Sequence, residues 1–240
     1  MYKRIILKLS GETLAPEIIP EDRSASLTFK AQRVDRAAKA IVDLANLGVQ
    51  VGVVMGGGNI WRGRFTDEMD PVIADQMGML ATIINALAVQ DAIIRLGRGA
   101  TVFTAQEMTR FADLYRADRA VSAMERGDIV LLSGGSGNPF FTTDTAAALR
   151  AAELRADAVF KGTTVDGVYD SDPRKNPDAK LIRDITYQEA IDRDLRVMDP
   201  SAFQLCKEQK LPVIRVFNMD DLDNILRVAK GEAIGTVVHL

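Results

Sequence analysis

The chain has 240 residues, 47% of them hydrophobic, which suffices for one large core and makes a single domain the expected organisation. Its 30 Lys and Arg residues against 33 Asp and Glu give a net charge of −3, which excludes a general attraction to nucleic acid. Cys206 and His239 are the only residues of their types, which excludes an internal disulfide and disfavours His-based triads and metal sites. We therefore expect chemistry based on Lys, Arg, Asp and backbone amides, as in phosphoryl transfer.

Short apolar runs bounded by small residues predict strands along the whole chain. The runs are Arg4 to Leu9, Val49 to Met55, Ala100 to Thr104, Ile129 to Ser133, Ala158 to Lys161, Val213 to Phe217 and Thr236 to His239. Helical spacing between Val34 and Ala45 and between Met79 and Leu87 predicts helices, and shorter ones are expected at Thr186 to Asp192, Pro200 to Gln209 and Asp221 to Ala229. This alternation predicts an α/β fold, a three-layer α/β/α sandwich around a mainly parallel sheet.

Two features indicate the compartment. Met1 leads directly into the first predicted strand without a signal-peptide pattern, and the lone cysteine fits a reducing environment. The apolar stretch from Pro71 to Leu96 is interrupted by Asp75, Gln76, Asn85, Gln90, Asp91 and Arg95, so we interpret it as a buried helix and not as a membrane span. A cytoplasmic location is expected.

Three predicted strands end in small residues followed by a helix or turn: Leu9-Ser10-Gly11, Met55 to Asn59, and Ser133 to Asn138. In parallel sheets such loops collect ligands, because their amides and the helix N-termini face an anion. Three loops suggest more than one phosphate. The Walker, dinucleotide-binding and protein-kinase fingerprints are all absent from the sequence.

Each loop also has a purely structural interpretation. Lys8 could be a solvated charge at a strand edge, and Gly56 to Asn59 could be a tight turn whose Asn is a helix-cap type. The nearby Arg62 favours phosphate binding at that turn. Before the next helix, Thr143 or Asp144 could serve as its cap.

A hairpin and loop are expected from Gly162 to Lys180, which is rich in Gly, Pro, Asp and Asn. Lys161 precedes it at a strand end, and Tyr169 offers a ring on which a base could stack. The glycines and aspartates would be needed in an ordinary hairpin as well.

Taken in order, seven segments resemble the bacterial uridylate kinase branch of the amino-acid-kinase family over nearly the whole chain. They are KLSGE, GGGN with Arg62, DQMGMLAT, GNPFFTTD, KGTTVDGVYDSDP, VMDPSAF and LPVIRVFNM. The resemblance implies transfer of the γ-phosphoryl group of ATP to UMP, in pyrimidine nucleotide biosynthesis. It also implies Mg²⁺ as a cofactor that is bound mainly by the nucleotide phosphates.

The resemblance also assigns residues. It implies that Lys8 and Lys161 flank the transferred group and that Asp144 and Asp199 organise lysine and magnesium. Residues similar to an ATP site are Lys8, Leu9, Ser10, Gly11, Gly58, Arg62, Thr163, Tyr169 and Asp172. Those that correspond to a UMP site are Gly57, Asp75, Ser136, Gly137, Asn138, Pro139, Phe140, Phe141, Thr142 and Thr143. The acceptor part is expected mainly in residues 1–155 and the ATP part in residues 156–240.

Three departures from the family pattern are visible. Glu12 to Phe29 is longer than the usual glycine-rich segment, which suggests a reordered or mobile lid. Gln90 and Ile94 replace basic residues of a GTP-activation site on the long helix, leaving Arg95 and Arg98, which argues against GTP activation. Ser136 stands where threonine is common and keeps the hydroxyl.

Two other functions are open at this point. The same lysines and Gly11 would serve an acyl-phosphate-forming kinase acting on glutamate, aspartate or carbamate, although SGNPFFTTD argues against it. A non-catalytic nucleotide sensor would keep the fold but has no need for Lys8, Lys161, Asp144 and Asp199. For partners, the resemblance implies a homohexamer built on dimers, with the long helix from Asp70 in an interface, and UTP as an inhibitor; no nucleic acid or membrane partner is expected.

Overall fold

The computed structural model of the protein describes residues 2–15, 30–61, 69–195 and 197–240. Arg62 and most of the predicted lid, residues 16–29, lie outside these ranges. The helices are α1 (Ala31–Asn46), α2 (Pro71–Arg95), α3 (Ala117–Glu125), α4 (Thr143–Glu153), α5 (Tyr187–Asp192), α6 (Pro200–Glu208) and α7 (Asp223–Ala229). The strands are β1 (Arg4–Leu9), β2 (Gln50–Met55), β3 (Ala100–Thr104), β4 (Asp113–Leu114), β5 (Ile129–Ser133), β6 (Ala158–Thr163), β7 (Val168–Tyr169), β8 (Leu181–Ile182), β9 (Asp184–Thr186), β10 (Val213–Asn218) and β11 (Thr236–His239).

The described strands form a nine-stranded sheet in the order β4-β3-β5-β2-β1-β6-β10-β11-β9. Its strand pairs are parallel except for β10 with β11. β7 and β8 form a separate antiparallel hairpin within the predicted loop region. The predicted α/β fold with a mainly parallel sheet is confirmed, and all seven predicted strands are present.

Two cores lie on opposite faces of the sheet, because successive strand residues point to opposite sides. Ile5, Leu7 and Leu9 of β1 join the core under α1, α2 and α7. Ile6, between them, joins the core under α3, α4, α5 and α6. Buried on both faces, β1 is almost continuously apolar, as central parallel strands usually are.

Lys8 is the exception in this central strand. It follows the alternation of Ile6 and therefore points to the α4 side of the sheet. A lysine so placed in a buried strand needs a partner for its charge.

The long helix α2 begins with Asp70 as its cap, whose side chain accepts hydrogen bonds from the amides of Val72 and Ile73, and with Pro71 in the first turn. By length and composition alone it could cross a membrane, so its polar residues do not settle the question. It packs instead against α1, β2, β3 and β5. The prediction of a buried helix is only partly right, because one face stays exposed, with Leu80 at 49% and Ile84 at 46% exposure.

Two local expectations were wrong. The cap of α4 is Thr142, not Thr143 or Asp144: the Thr142 hydroxyl accepts from the Asp144 amide at 3.1 Å. Asn59 caps no helix among the described residues and forms a buried side-chain pair instead. In both cases the hydrogen-bond partner of a short polar side chain depends on the folded structure and not on its sequence position alone.

Candidate active site

Two lysines lie side by side at the centre of the sheet. β1 and β6 are parallel neighbours whose register pairs Lys8 directly with Lys161. Lys161 alternates with Ala158 and Phe160, which face the other core, so both lysines point toward α4. Both side chains are about nine-tenths buried.

Asp144 lies between the two ammonium groups. Its carboxylate is 2.9 Å from the Nζ of Lys8 and 2.6 Å from the Nζ of Lys161. Asp144 is in the first turn of α4, where the N-terminal end of the helix dipole also favours a negative charge. We call these three residues the lysine centre.

Burial and charge act in opposite directions on the lysine centre. Burial alone would raise the pKa of the Asp144 carboxyl, but the charges of Lys8 and Lys161 outweigh it and lower that pKa below its usual range. Burial, followed by the charge of Lys8, lowers the pKa of Lys161 to about 8, although Asp144 opposes the change. With one carboxylate for two ammonium groups, the centre keeps an excess positive charge that suits an anion.

The lysine centre opens into a cavity of about 1050 Å³, which is large enough for a nucleoside triphosphate. Of the predicted ATP-site residues, its lining contains Lys8, Ser10, Thr163, Tyr169 and Asp172. Leu9, Gly11 and Gly58 are not part of this lining, and Leu9 is a core residue. We call this space the donor cavity.

The hairpin region closes one side of the donor cavity through local hydrogen bonds. The Thr163 hydroxyl bonds with the carbonyl and amide of Val165, and Asp172 accepts from the Arg174 amide at 3.0 Å. The ring of Tyr169 is half-buried at the start of the hairpin. The expectation of a hairpin and loop here is confirmed.

The loop after β1 and the glycine loop, residues 56–59, touch each other. The Gly56 amide donates to the Leu9 carbonyl at 2.8 Å. A Cβ on Gly56 would lie 2.8 Å from the Gly11 amide, and one on Gly11 would lie 2.9 Å from the Gly58 amide. Glycine is therefore required sterically at both positions, and the neighbouring Gly57 and Gly58 are half-buried.

The acceptor loop, Ser136–Phe141, lies at the carboxyl end of β5 and leads into α4 at Thr142. Its geometry is constrained at Phe140, which has a φ of 70°, unusual for a residue with a side chain. Asp75 of α2 accepts from the Phe140 amide at 2.6 Å, and Gln106 donates to the Gly137 carbonyl at 2.7 Å. The Ser136 hydroxyl bonds with the backbone of Asn138.

Of the predicted UMP-site residues, these contacts join Asp75 to the acceptor loop. Gly57 and Asp75 come from the glycine loop and α2, and the other eight form one continuous stretch with exposed rings at Phe140 and Phe141. Asp75 already holds the loop backbone, so it positions this stretch whatever else it contacts.

Asp199 has different neighbours from those predicted. Its carboxylate accepts from the hydroxyls of Thr142 and Thr145, the latter at 2.9 Å, at the start of α6. It thus ties the beginning of α6 to the cap of α4 instead of contacting Lys8 or Lys161. Among the two carboxylates, only Asp144 shows the predicted contact with lysine.

Sequence reasoning did not single out three buried polar residues beside these loops. Thr82 and Asn85 of α2 hydrogen-bond to Gly134 and Gly56 respectively. The guanidinium of Arg150, in α4, stacks 3.8 Å from the centre of the Tyr115 ring and pairs with Glu153 at 2.7 Å. The polar positions in an otherwise apolar helix were a usable signal for the first two; Arg150 gave none.

The chain is similar to known proteins over nearly its whole length. The model of the amino acid kinase family matches residues 3–218. A uridylate kinase from Bacteroides thetaiotaomicron is 48% identical over 240 residues, covering 99% of this chain and 98% of the relative. One from Parabacteroides distasonis is 47% identical with the same coverage.

Solved structures show the same similarity. The UMP kinase from Bacillus anthracis superposes with a TM-score of 0.92 at 36% identity, covering 99% of this chain and 96% of that one. The UMP kinase from Ureaplasma parvum gives 0.90 at 35% identity, with full coverage of both chains. With its family match over most of the sequence, this chain belongs to the amino acid kinase family.

Proposed function

We propose that this protein transfers the γ-phosphoryl group of ATP to UMP, giving ADP and UDP. The observation that carries the proposal is the lysine centre, which places two buried ammonium groups and one carboxylate between the donor cavity and the acceptor loop. The uridylate kinases to which the chain is nearly half identical support UMP as the acceptor.

The chemistry requires charge stabilisation more than a base. A phosphate oxygen of UMP bonds to the γ-phosphorus while the bond from that phosphorus to the β–γ bridging oxygen breaks, leaving the electron pair on ADP. The second pKa of a phosphomonoester is about 6, so the attacking phosphate is already a dianion at neutral pH. Lys8 and Lys161 offset the negative charge on the transferred group, and Asp144 keeps both ammonium groups in place.

The described residues leave Mg²⁺ to the nucleotide. They contain no cluster of three His, Cys, Asp or Glu side chains that could hold a metal ion, and Asp144 is engaged with both lysines. In the proposed reaction Mg²⁺ is bound by the phosphates of ATP and supplies further charge neutralisation there.

We propose that the protein is located in the cytoplasm, where the thiol of Cys206 stays reduced. We also propose that it acts in pyrimidine nucleotide synthesis.

An acceptor screen tests the proposed function. Purified protein with ATP and Mg²⁺ is assayed for ADP release with UMP, CMP, AMP, dUMP, glutamate, aspartate or carbamate. We expect UMP to have the highest kcat/KM. Faster turnover of a carboxylate or carbamate would move the function to acyl-phosphate formation, and no turnover with any acceptor would favour a nucleotide sensor.

We also propose that the protein self-associates through the outer face of α2. Four apolar residues lie on this face at separations of seven, four and ten residues, which suit one stripe of a helix, and each is about half exposed: Ile73, Leu80, Ile84 and Ile94. Exposed apolar surface of this kind commonly marks an interface. A second copy of this chain, assembling into the hexamer implied by the family resemblance, is the expected occupant.

Sedimentation velocity tests this surface. Leu80→Glu is expected to shift the protein to smaller species, because a charge would be buried in the interface. Phe111→Glu, which changes an exposed apolar residue off the stripe, is the matched control. A wild-type monomer, or an unchanged assembly after Leu80→Glu, would contradict the proposal.

We propose that UTP inhibits the protein, as the resemblance implies, and that GTP does not activate it. On α2, Gln90 donates to the Ala100 carbonyl, and Arg95 is paired with Asp35 and Asp91. Arg98 donates to the Gly127 carbonyl at 3.1 Å. These contacts engage the remaining basic side chains within the protomer. Rate measurements with added GTP should therefore show no activation, and added UTP should lower the rate.

A further inference from the structure

The inner face of α2 carries two buried polar side chains, one turn apart, that bond to two different strand-end loops. Thr82 is 3% exposed and Asn85 is fully buried. Thr82 bonds to Gly134, in the segment that joins β5 to the acceptor loop, and Asn85 bonds to the glycine loop that follows β2. Buried polar groups are costly unless bonded, and both of these side chains are bonded to loops.

Asn85 holds the glycine loop through three hydrogen bonds. Its amide exchanges bonds with the amide of Asn59 at 2.7 and 3.0 Å. Its nitrogen also donates to the Gly56 carbonyl at 2.7 Å. A Cβ on Gly11 would lie only 2.3 Å from the side-chain oxygen of Asn59, so this oxygen packs against the backbone of Gly11. The pair thus connects α2, the glycine loop and the loop after β1.

Thr82 holds the segment between β5 and the acceptor loop at Gly134. Its hydroxyl accepts from the Gly134 amide at 2.8 Å and donates to the Met79 carbonyl of its own helix at 2.7 Å. Gly134 has a φ of 75°, and a Cβ there would lie 3.0 Å from the Thr104 hydroxyl. The chain leaves β5 in a conformation suited to glycine, and one side-chain bond to α2 accompanies it.

The helix itself also touches the glycine loop. A Cβ on Gly57 would lie 2.8 Å from the Gly78 carbonyl and 2.9 Å from the Ala81 Cβ. The loop therefore rests directly on the backbone of α2. Because residues three apart on a helix are separated by about 4.5 Å along its axis, Thr82 and Asn85 hold the two loops at a fixed spacing.

We propose that Thr82 and Asn85 are positioning residues that set the distance and angle between the ATP and UMP phosphates during transfer. This inference rests on the proposed function, since it takes the glycine loop and the acceptor loop as the sites where the two nucleotides meet. Neither residue touches the reacting atoms; each acts through the loop that it holds. Small displacements of reacting groups are enough to slow transfer substantially.

A kinetic comparison of matched variants tests the role of Thr82. Thr82→Val keeps the volume but removes the hydroxyl, and we expect it to raise the KM for UMP by about tenfold while the KM for ATP changes by less than about twofold. Thr82→Ser keeps the hydroxyl and should restore wild-type constants. Equal KM values for Thr82→Val and wild type, or equal defects in the Val and Ser variants, would overturn the role of Thr82.

The control for Asn85 is a core residue one turn further along α2. Asn85→Ala should lower kcat by about tenfold or more, because donor and acceptor both meet the glycine loop. Val89→Ala also removes buried side-chain atoms from α2, but a valine cannot hydrogen-bond to a loop. With both variants assayed well below their Tm, similar kcat losses would mean that Asn85 acts only through stability and would overturn its role.

Hydrogen exchange separates this inference from the proposed function. Asn85→Ala should speed amide exchange at residues 56–59, and Thr82→Val should speed it at Gly134, whereas Val89→Ala should do neither. If wild-type protein fails to turn over UMP, the proposed function fails while the exchange result still tests the loop contacts. Unchanged exchange in both loop variants would overturn the positioning role whatever the activity.

Discussion

The lysine centre and the acceptor loop are built in opposite ways. Lys8 and Lys161 belong to paired, buried strands, and Asp144 belongs to the first turn of a helix, so regular secondary structure fixes all three. The acceptor loop is exposed, contains a strained φ at Phe140, and is held by single side-chain bonds from Asp75 and Gln106. The charged groups proposed to face the transferred phosphoryl group thus belong to regular secondary structure, whereas the loop proposed to bind the acceptor depends on a few contacts.

This difference has a kinetic consequence. Changes in the lysine centre should affect kcat, because they remove charge that stabilises the transition state. Changes in the bonds that hold the acceptor loop should mainly affect the KM for UMP.

The largest effect is expected from Asp144→Asn. It leaves two buried ammonium groups without their counter-charge, so kcat should fall by about 10²- to 10³-fold. Breaking a buried ion pair typically lowers the free energy of unfolding by about 3–5 kcal/mol, and urea denaturation measures that loss. Asp118→Asn removes an exposed carboxylate that is paired with Arg116 and should change neither quantity appreciably. A normal kcat in Asp144→Asn would contradict the division.

The acceptor loop is tested by Asp75→Ala. Loss of the bond to the Phe140 amide should raise the KM for UMP by about tenfold with a smaller effect on kcat. Asp75→Asn keeps an oxygen that can accept this bond and should recover most of the affinity. Steady-state kinetics with both substrates varied would show the split; a fall in kcat with the KM for UMP unchanged would place Asp75 with the reacting charges instead.

A smaller effect is expected in proton uptake on nucleotide binding. Burial, and then the charge of Lys8, lower the pKa of Lys161 to about 8, so in free protein at pH 8 about half of this group is neutral. A bound phosphate raises that pKa, so ATP binding at pH 8 should take up about half a proton or less. Calorimetry in two buffers of different ionisation enthalpy measures the uptake. Proton release, or equal uptake by Lys161→Met, would contradict this.

The same shift has a sign for stability. Because the folded-state pKa of Lys161 is below its ordinary value, the cost of burying the ammonium is fully present below pH 8. It is relieved as the pH rises from about 8 toward the unfolded value of 10.5. Lys161 therefore opposes folding most at neutral and acidic pH. Keeping this charge at the site therefore lowers the free energy of unfolding at these pH values.

The smallest effect is expected at the far edge of the sheet. His239 lies 2.9 Å from Asp184, and this hydrogen bond raises its pKa. Its contribution to stability is present in full below pH 6.5 and is lost as the pH rises through the higher folded-state pKa. Asp184→Asn should remove this pH dependence, which contributes less than about 1 kcal/mol to the free energy of unfolding, without changing kcat. Denaturation at pH 5.5 and 8.5 measures it, and a changed kcat would be unexpected.

The features that could be predicted from the sequence follow a similar division, between regular elements and the contacts that join them. The strands were predictable because apolar runs bounded by small residues are strong signals, and two of them end near Lys8 and Lys161. Their shared face follows from the two-residue period once the strands are known to pair. The register that pairs them, and the contact of both with Asp144, depend on long-range packing that local patterns do not contain.

The polar contacts beneath the loops were harder to predict. Asn85 was visible as a polar residue in an apolar helix, but its partner Asn59 resembled a helix cap and lies 26 residues earlier in the chain. Asp199 was expected near the lysines and instead bonds to Thr142 and Thr145. Such pairings are set by how the elements pack, and a short polar side chain can satisfy several of them equally well.

The most direct test is rapid-quench measurement of UDP formation from ATP and UMP by wild-type protein and Lys8→Met at saturating nucleotide. We expect UDP to form in the wild-type reaction and the transfer rate to fall by about a hundredfold or more in the variant, with nucleotide binding retained. Wild-type transfer by Lys8→Met would contradict the claim that phosphoryl transfer occurs at the lysine centre.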